Sequence, residues 1–170
     1  MTITRRSMMA TLLAGAGASL VPARFLRAQG TPGTPATWEW TTYGADLKST
    51  RYAPLDQINA DNFADLEVAW RFKTDALGPR PEFNFQTTPL MVGGVVYTTA
   101  GSRRAVVALD AATGELLWMH REDEGARGAA APRQLSGRGL AYWSDGQDAR
   151  IVYVTPGYRL VALDARTGTP

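Results

Sequence analysis

The chain has 170 residues, with 18 lysines and arginines against 16 aspartates and glutamates, no cysteine and one histidine. Without cysteine there is no disulfide framework, and one histidine without cysteine partners argues against a zinc site. Four of the basic residues lie within 1–28, a segment that holds no acid. The remainder has 14 bases against 16 acids and gives no support for nucleic-acid binding.

The segment 1–28 has the pattern of a twin-arginine export signal. A pair of arginines precedes an uncharged apolar run from Met8 to Val21. This run is too short for a transmembrane helix, which needs about 20 residues. We therefore predict a removed signal over 1–28, a periplasmic location by the twin-arginine route, and no transmembrane span. The alternative is a chance Arg-Arg pair in a cytosolic protein.

Residues 29–37 are rich in Gly, Pro and Thr without periodicity, which predicts a flexible leader. The candidate domain therefore covers 38–170. It starts with a lead-in, for which we predict a short helix at about 60–66 and a strand over 66–72.

Short β-prone runs separated by turn residues then predict antiparallel sheets. Four strands are expected between 87 and 120, at 89–92, 95–99, 106–109 and 115–118. The first two are joined by Gly93-Gly94, a two-residue hairpin turn. Three more strands are expected at 139–143, 151–154 and 160–163.

The segment between the two groups of strands is predicted to be an ordinary loop. We expect Arg121–Glu124 to be a solvated charged run rather than a calcium cluster, and His120 to be a surface residue. Gly125–Ala131 is interpreted as a Gly/Ala loop. It is not a phosphate-binding loop, because no Lys-Ser/Thr and helix follow it.

An internal repeat indicates the architecture. The run VVALDAATGELLW at 106–118 returns as LVALDARTG at 160–168, so that Val107 aligns with Val161 and Gly114 with Gly168. Four-stranded units with a period near 50 are typical of propeller blades. We predict an all-β propeller of four-stranded antiparallel blades, with Trp70 and Trp118 packed between blades. A small, complete β-sandwich is the alternative, but it does not explain the period.

The chain ends inside the second repeat, so we expect it to be the front of a longer protein that covers about two blades. The strand over 66–72 would then complete the last blade and close the ring. If the chain were the whole product, its open blade edges would leave it unfolded or aggregating.

The repeat Ala-Leu-Asp-Ala-x-Thr-Gly-x-x-x-Trp resembles the tryptophan-docking repeat of quinoprotein dehydrogenases, whose cofactor is pyrroloquinoline quinone (PQQ). The lead-in, with Trp40–Asp46, Arg51–Ile58 and Ala69-Trp70, is similar to the N-terminal approach of PQQ-dependent alcohol and glucose dehydrogenases. The resemblance covers nearly all of 38–168.

This resemblance implies eight blades, with PQQ and Ca²⁺ near the axis. It implies a periplasmic enzyme that oxidises a sugar or alcohol and passes electrons to a respiratory quinone or cytochrome. In the family the calcium polarises a quinone carbonyl and a carboxylate takes the substrate proton. The catalytic residues and calcium ligands are expected beyond Pro170, so the fragment alone should be inactive. The alternative is a non-catalytic envelope scaffold that binds proteins, since such propellers carry the repeat too.

Three candidate cofactor-binding residues follow from the resemblance. Gln86 stands where many relatives have a cofactor-contacting Glu or Gln, and its amide suits a quinone carboxylate. Arg138 belongs to an Arg-Gly-x-x-Tyr segment, and a fixed guanidinium suits a developing oxyanion. Thr155 ends a predicted strand. The alternatives are a glutamine bonded to backbone, a surface arginine and an ordinary strand-end hydroxyl.

One departure narrows the family branch. In methanol dehydrogenases a vicinal disulfide stacks on PQQ a few residues before the arginine, and Pro132-Arg133 stand at that place here. This argues against the methanol branch. It leaves the glucose and sugar types, or a member that has lost the cofactor.

Overall fold

The structure is a computed structural model that describes residues 38–135 and 139–170. The predicted export signal, the leader and Arg138 lie outside the described residues. A four-stranded antiparallel sheet has the order β1-β2-β3-β4, and a three-stranded one has the order β5-β6-β7. The strands are β1 (Leu90–Val92), β2 (Val95–Ala100), β3 (Ala105–Asp110), β4 (Leu116–His120), β5 (Ala141–Ser144), β6 (Ala149–Val154) and β7 (Leu160–Asp164).

All seven predicted strands from residue 87 onward are confirmed, and so is the Gly-Gly turn. Gly93 and Gly94 both have positive φ, 57° and 76°. Two consecutive positive φ values are the geometry of the hairpin turn that matches strand twist, and glycine adopts it without steric cost. The isolated bridge between Trp40 and Met91 attaches the lead-in to the free edge of β1.

The first sheet is buried on both faces. Val106 and Ala108 of β3 belong to a core shared with the second sheet, while Val107 and Leu109 belong to a core on the opposite face. This explains why β3 is a continuous apolar run rather than an alternating one. The lead-in covers the opposite face, where Trp70, Phe72 and Leu77 pack.

The two repeated turns have the same hydrogen bonds. One carboxylate oxygen of Asp110 accepts from the backbone N–H groups of Ala112 and Thr113 and from the Thr113 hydroxyl, at 2.8–3.0 Å. Asp164 accepts the equivalent three bonds from Arg166 and Thr167 at 2.9–3.1 Å. The repeat therefore preserves a side-chain-to-backbone turn, as expected for Asp.

These bonds predict a specific acid sensitivity. They lower the pKa of Asp110 and Asp164 below the ordinary 3.8, the backbone N–H of Thr113 and of Thr167 being the main cause. Because the folded pKa is lowered, the stabilisation is present above the ordinary pKa and is lost as pH falls through the folded pKa. The double variant Asp110→Asn/Asp164→Asn should be less stable than wild type at pH 7, and the difference should shrink toward pH 2.

Denaturant titrations between pH 7 and 2 measure that convergence. The exposed Asp56→Asn variant is the control and should follow the wild-type curve. A stability difference between the double variant and wild type that stays constant across this range would contradict the assignment.

Each repeated turn receives a tryptophan. The Trp70 indole N–H donates to the Ala111 carbonyl at 3.0 Å, and the Trp118 indole N–H donates to the Ala165 carbonyl at 3.0 Å. Gly114 and Gly168 lie directly under the respective rings. Trp118 packs between the two sheets, as predicted. Trp70 packs against the opposite face of the first sheet, and its place between two blades stays a prediction. The Tyr97 hydroxyl also donates to the Ala165 carbonyl, at 3.1 Å.

Residues 66–72 pair with no strand among the described residues, and Trp70 and Phe72 of this segment pack against a face of the first sheet. That 66–72 completes the last blade of the ring stays a prediction. Two local predictions were wrong. The predicted helix at 60–66 is a single 3-10 turn, Phe63–Asp65. The predicted Gly/Ala loop contains a short helix, α1 (Gly125–Ala129). Among the described residues, no helix is long and apolar enough to cross a membrane.

Candidate functional site

A cleft of about 1030 Å³ opens at the junction of the two sheets and the lead-in. Its walls come from four places in the sequence. These are residues 80–86 before β1, the β2–β3 turn, the segment before β5, and β6 with the turn that follows it. The lining residues lie within 80–86, at 104, and within 131–135, 139–141 and 152–160.

The described lining of the cleft is rich in hydrogen-bond donors and holds no carboxylate. It includes three arginines, Arg80, Arg104 and Arg133, and three side-chain amides, Asn84, Gln86 and Gln134. Aromatic and aliphatic groups make up much of the rest. This composition suits a flat anionic ligand, because guanidinium and amide groups bind carboxylates and carbonyl oxygens.

The structure brings one predicted site residue into this cleft and describes the flanks of another. Gln86 is exposed and lines the cleft. Arg138 is not described, but Leu135 and Gly139 on either side of the gap both line it. Thr155 is fully buried and is not one of the lining residues, although Val154 and Pro156 beside it are.

The Thr155 hydroxyl is held by its own surroundings. It donates to the Glu124 carboxylate at 2.6 Å and accepts from the Arg159 backbone N–H at 2.9 Å. The other Glu124 oxygen accepts from the Gly157 N–H at 2.6 Å. A hydroxyl has one proton, so this one is committed to Glu124 and a single acceptor position remains. A cofactor contact by Thr155 stays a prediction, limited here to accepting a hydrogen bond.

Glu124 therefore connects the end of β4 to the turn after β6. Replacing it with alanine should destabilise the protein by about 2–3 kcal/mol, since two charge-assisted bonds are lost. Chemical unfolding measures this, with the exposed Glu115→Ala expected within about 0.5 kcal/mol of wild type. Equal effects of the two substitutions would contradict a specific role for Glu124.

The charged run before α1 is only partly solvated: Arg121 and Asp123 are exposed, as predicted, whereas Glu122 and Glu124 are half-buried. Glu122 accepts from the Arg159 guanidinium at 2.7 Å and lies 3.0 Å from His120 Nε2, and the His120 side chain is only 16% exposed. The alternation His-x-Glu-x-Glu over 120–124 is the sequence signal for this arrangement. In an extended segment, residues two apart point to the same side.

Tyr153 lines the cleft, and its hydroxyl is neutral. Burial, and then the Glu122 and Glu124 carboxylates, raise the pKa of its hydroxyl far above the usual value. Its hydroxyl is buried without a hydrogen-bond partner among the described residues. Because the phenol stays protonated, it does not serve as a base at neutral pH.

Arg104 is a residue that the sequence analysis missed. Its guanidinium donates to three backbone carbonyls at 2.9–3.0 Å, those of Arg133, Leu135 and Val154. Two of these belong to the segment before β5 and one to the end of β6, so Arg104 joins two walls of the cleft. No spacing or motif distinguishes it from Arg103, which is exposed.

Residues 40–170 match the family model described as "PQQ: Glucose/ethanol/alcohol dehydrogenase, beta-propeller domain". The chain belongs to this family of PQQ-dependent dehydrogenases. The alcohol dehydrogenase (quinone), dehydrogenase subunit, of Gluconobacter oxydans (strain 621H) is 36% identical over 98% of this chain and 22% of the relative. The glycerol dehydrogenase large subunit of Gluconobacter thailandicus is 33% identical over 79% of this chain and 19% of the relative.

Solved structures agree with this assignment. Quinohemoprotein alcohol dehydrogenase from Comamonas testosteroni superposes with a TM-score of 0.63 at 33% identity, covering 88% of this chain and 20% of that one. The predicted family and the all-β propeller class are confirmed. The chain spans about a fifth of the length of the curated relatives it matches.

The donor set of the cleft fits the family's cofactor. PQQ is a planar quinone that carries carboxylates, and the described lining offers guanidinium and amide groups without an acid. Residues 38–135 and 139–170 contain no cluster of three or more His, Cys, Asp or Glu side chains that could hold a metal ion.

Proposed function

We propose that this chain is the N-terminal part of a PQQ-dependent alcohol dehydrogenase and that the cleft contributes one side of its cofactor site. The observation that carries the proposal is the lining itself, in a chain of the PQQ family: it has no described carboxylate and includes Arg80, Arg133, Asn84 and Gln86 beside Arg104 and Gln134, whose side chains donate to backbone carbonyls. An alcohol is favoured over a sugar because the relatives are named for alcohols and glycerol. A glucose-type substrate remains a prediction.

In this proposal each wall of the cleft has a physical task. Gln86 and Arg138 donate hydrogen bonds to carboxylate or quinone oxygens and fix the orientation of the ring. The apolar lining, including Leu140 and Val152, excludes water from the ring faces. PQQ, when bound, supplies the hydride-accepting centre, and the protein positions and polarises it.

The remaining parts of the site are proposed to lie outside this chain. Calcium would be held by ligands from the rest of the full-length protein, which would also supply the carboxylate base. Electrons would pass to a respiratory quinone or cytochrome. The twin-arginine pattern over 1–28 supports export to the periplasm by the folded-protein route.

A dye-reduction assay on the full-length protein loaded with PQQ and Ca²⁺ tests the proposal. We expect turnover with ethanol or glycerol and much less with glucose. Arg138→Ala should lower kcat/KM by at least about tenfold, as for loss of a charged bond. Arg166→Ala, an exposed arginine in the second repeated turn, should match wild type. Saturable PQQ binding without turnover on any alcohol or sugar would overturn the enzyme assignment, and absence of PQQ binding would favour a scaffold.

A further inference from the structure

We propose that Arg104 is a positioning residue for the PQQ cleft, holding two of its walls at a fixed separation. The inference rests on the proposed function for the identity of the ligand. Arg104 lies on the β2–β3 turn of the first sheet, and its side chain bonds to the segment before β5 and to the end of β6 in the second sheet.

The Arg104 guanidinium donates three hydrogen bonds in fixed directions. Nε donates to Leu135 O at 3.0 Å, Nη2 to Arg133 O at 2.9 Å and Nη1 to Val154 O at 2.9 Å. The three acceptors are backbone carbonyls, so the side chain fixes main-chain position. A planar fork with donors in fixed directions can do this, and a lysine ammonium on a flexible stem cannot reproduce it.

The three acceptor carbonyls lie on two different walls of the cleft. Residues 133–135 form the wall that precedes β5, and Val154 is the last residue of β6, where the turn through Pro156 starts. These two walls belong to separate chain segments, with β5 and most of β6 between them. Arg104 comes from a third segment and bonds to both, so one side chain ties the two walls together.

Backbone conformation supplies an independent observation. Arg104 has φ of 53°, and Tyr158 on the facing wall has φ of 66°. A non-glycine residue in this region costs about 1 kcal/mol or more. The three hydrogen bonds that the Arg104 side chain makes from this conformation offset that cost.

Ligand-free hydrogen exchange and PQQ affinity test the proposal together. In apo full-length protein, Arg104→Lys and Arg104→Ala should raise exchange in peptides covering 131–135 and 153–158, while β2 and β3 stay protected. PQQ should bind about tenfold more weakly to both variants, because loose walls must be ordered on binding. Arg103→Ala, the exposed neighbour, should match wild type in both measurements.

The outcomes separate this inference from the proposed function. If Arg104→Ala fails to fold, Arg104→Lys decides the matter. Wild-type exchange or wild-type PQQ affinity in Arg104→Lys would overturn the positioning role, because lysine keeps the charge and loses the fork. If wild-type protein binds no PQQ, the proposed function fails. Local exchange at the two walls then still decides whether Arg104 holds them, and unchanged exchange would refute that too.

Discussion

Gly114→Ala should destabilise the protein by about 3 kcal/mol or more, while Gly94→Ala should cost only about 1 kcal/mol. The two glycines have nearly the same φ, 73° for Gly114 and 76° for Gly94. A Cβ on Gly114 would lie 2.5 Å from Cδ2 of the Trp70 indole, whereas a Cβ on Gly94 would meet nothing within 4 Å. The difference in unfolding free energy between the two variants therefore measures the steric clash between the added methyl group and the Trp70 ring, because the cost of a positive φ for alanine is common to both.

Denaturant unfolding with Trp70→Ala as a third variant completes the test. Without the indole, the added methyl group has space, so Gly114→Ala in the Trp70→Ala background should cost about as much as Gly94→Ala. Such coupling between neighbours is measured by a double-mutant cycle. Additive effects of Gly114→Ala and Trp70→Ala would show that the ring does not press on the turn.

Trp118→Ala should cost about 3–5 kcal/mol, as for other large core truncations. The ring lies between the two sheets, 5.9 Å from the Tyr97 ring, over Gly168, with its N–H bonded to the Ala165 carbonyl. Trp118→Phe keeps part of the packing and loses the indole bond, so it should cost about 1–2 kcal/mol.

Chemical unfolding of the two variants beside Met119→Ala gives the comparison. Met119 is the next residue on β4 and is 47% exposed, so its truncation should cost less than about 1 kcal/mol. If Trp118→Ala lowered the free energy of unfolding no more than Met119→Ala, the docking of Trp118 would not join the two sheets.

Much of the fold could be predicted because its signals are local. The Gly-Gly pair specifies a hairpin turn by backbone conformation alone, and Asp-x-x-Thr-Gly specifies the repeated turn by side-chain bonds to close neighbours in sequence. Trp70 and Trp118 were predicted to be packing residues, and each indole bonds to one of the repeated turns. Local chemistry and period were sufficient for the strands and their order within each hairpin.

The errors concern two short segments. The predicted helix at 60–66 is reduced to the 3-10 turn Phe63–Asp65, which has no buried residue. Gly125–Ala129 mixes two glycines with alanine and arginine, so propensity alone does not decide between loop and helix. Its single helical turn follows Glu124, which is fixed by Thr155 and Gly157.

The candidate site was partly accessible to sequence reasoning. Gln86 was placed by resemblance and lines the cleft. Arg104 was missed because its role comes from contacts with carbonyls 29 to 50 residues away. Every residue has a backbone carbonyl, so the sequence does not show which of them a side chain will contact. Glu124 has a weak signal, the alternation from His120 onward, which a search for buried charges on one side of an extended segment would have found.

The most direct test of the central claim is the structure of the full-length protein with PQQ bound. We expect the quinone in the cleft between the two sheets, contacting Gln86 and Arg138, with the Arg104 guanidinium still bonded to the carbonyls of Arg133, Leu135 and Val154. A bound quinone that touches none of residues 80–86, 131–141 and 152–160 would contradict it.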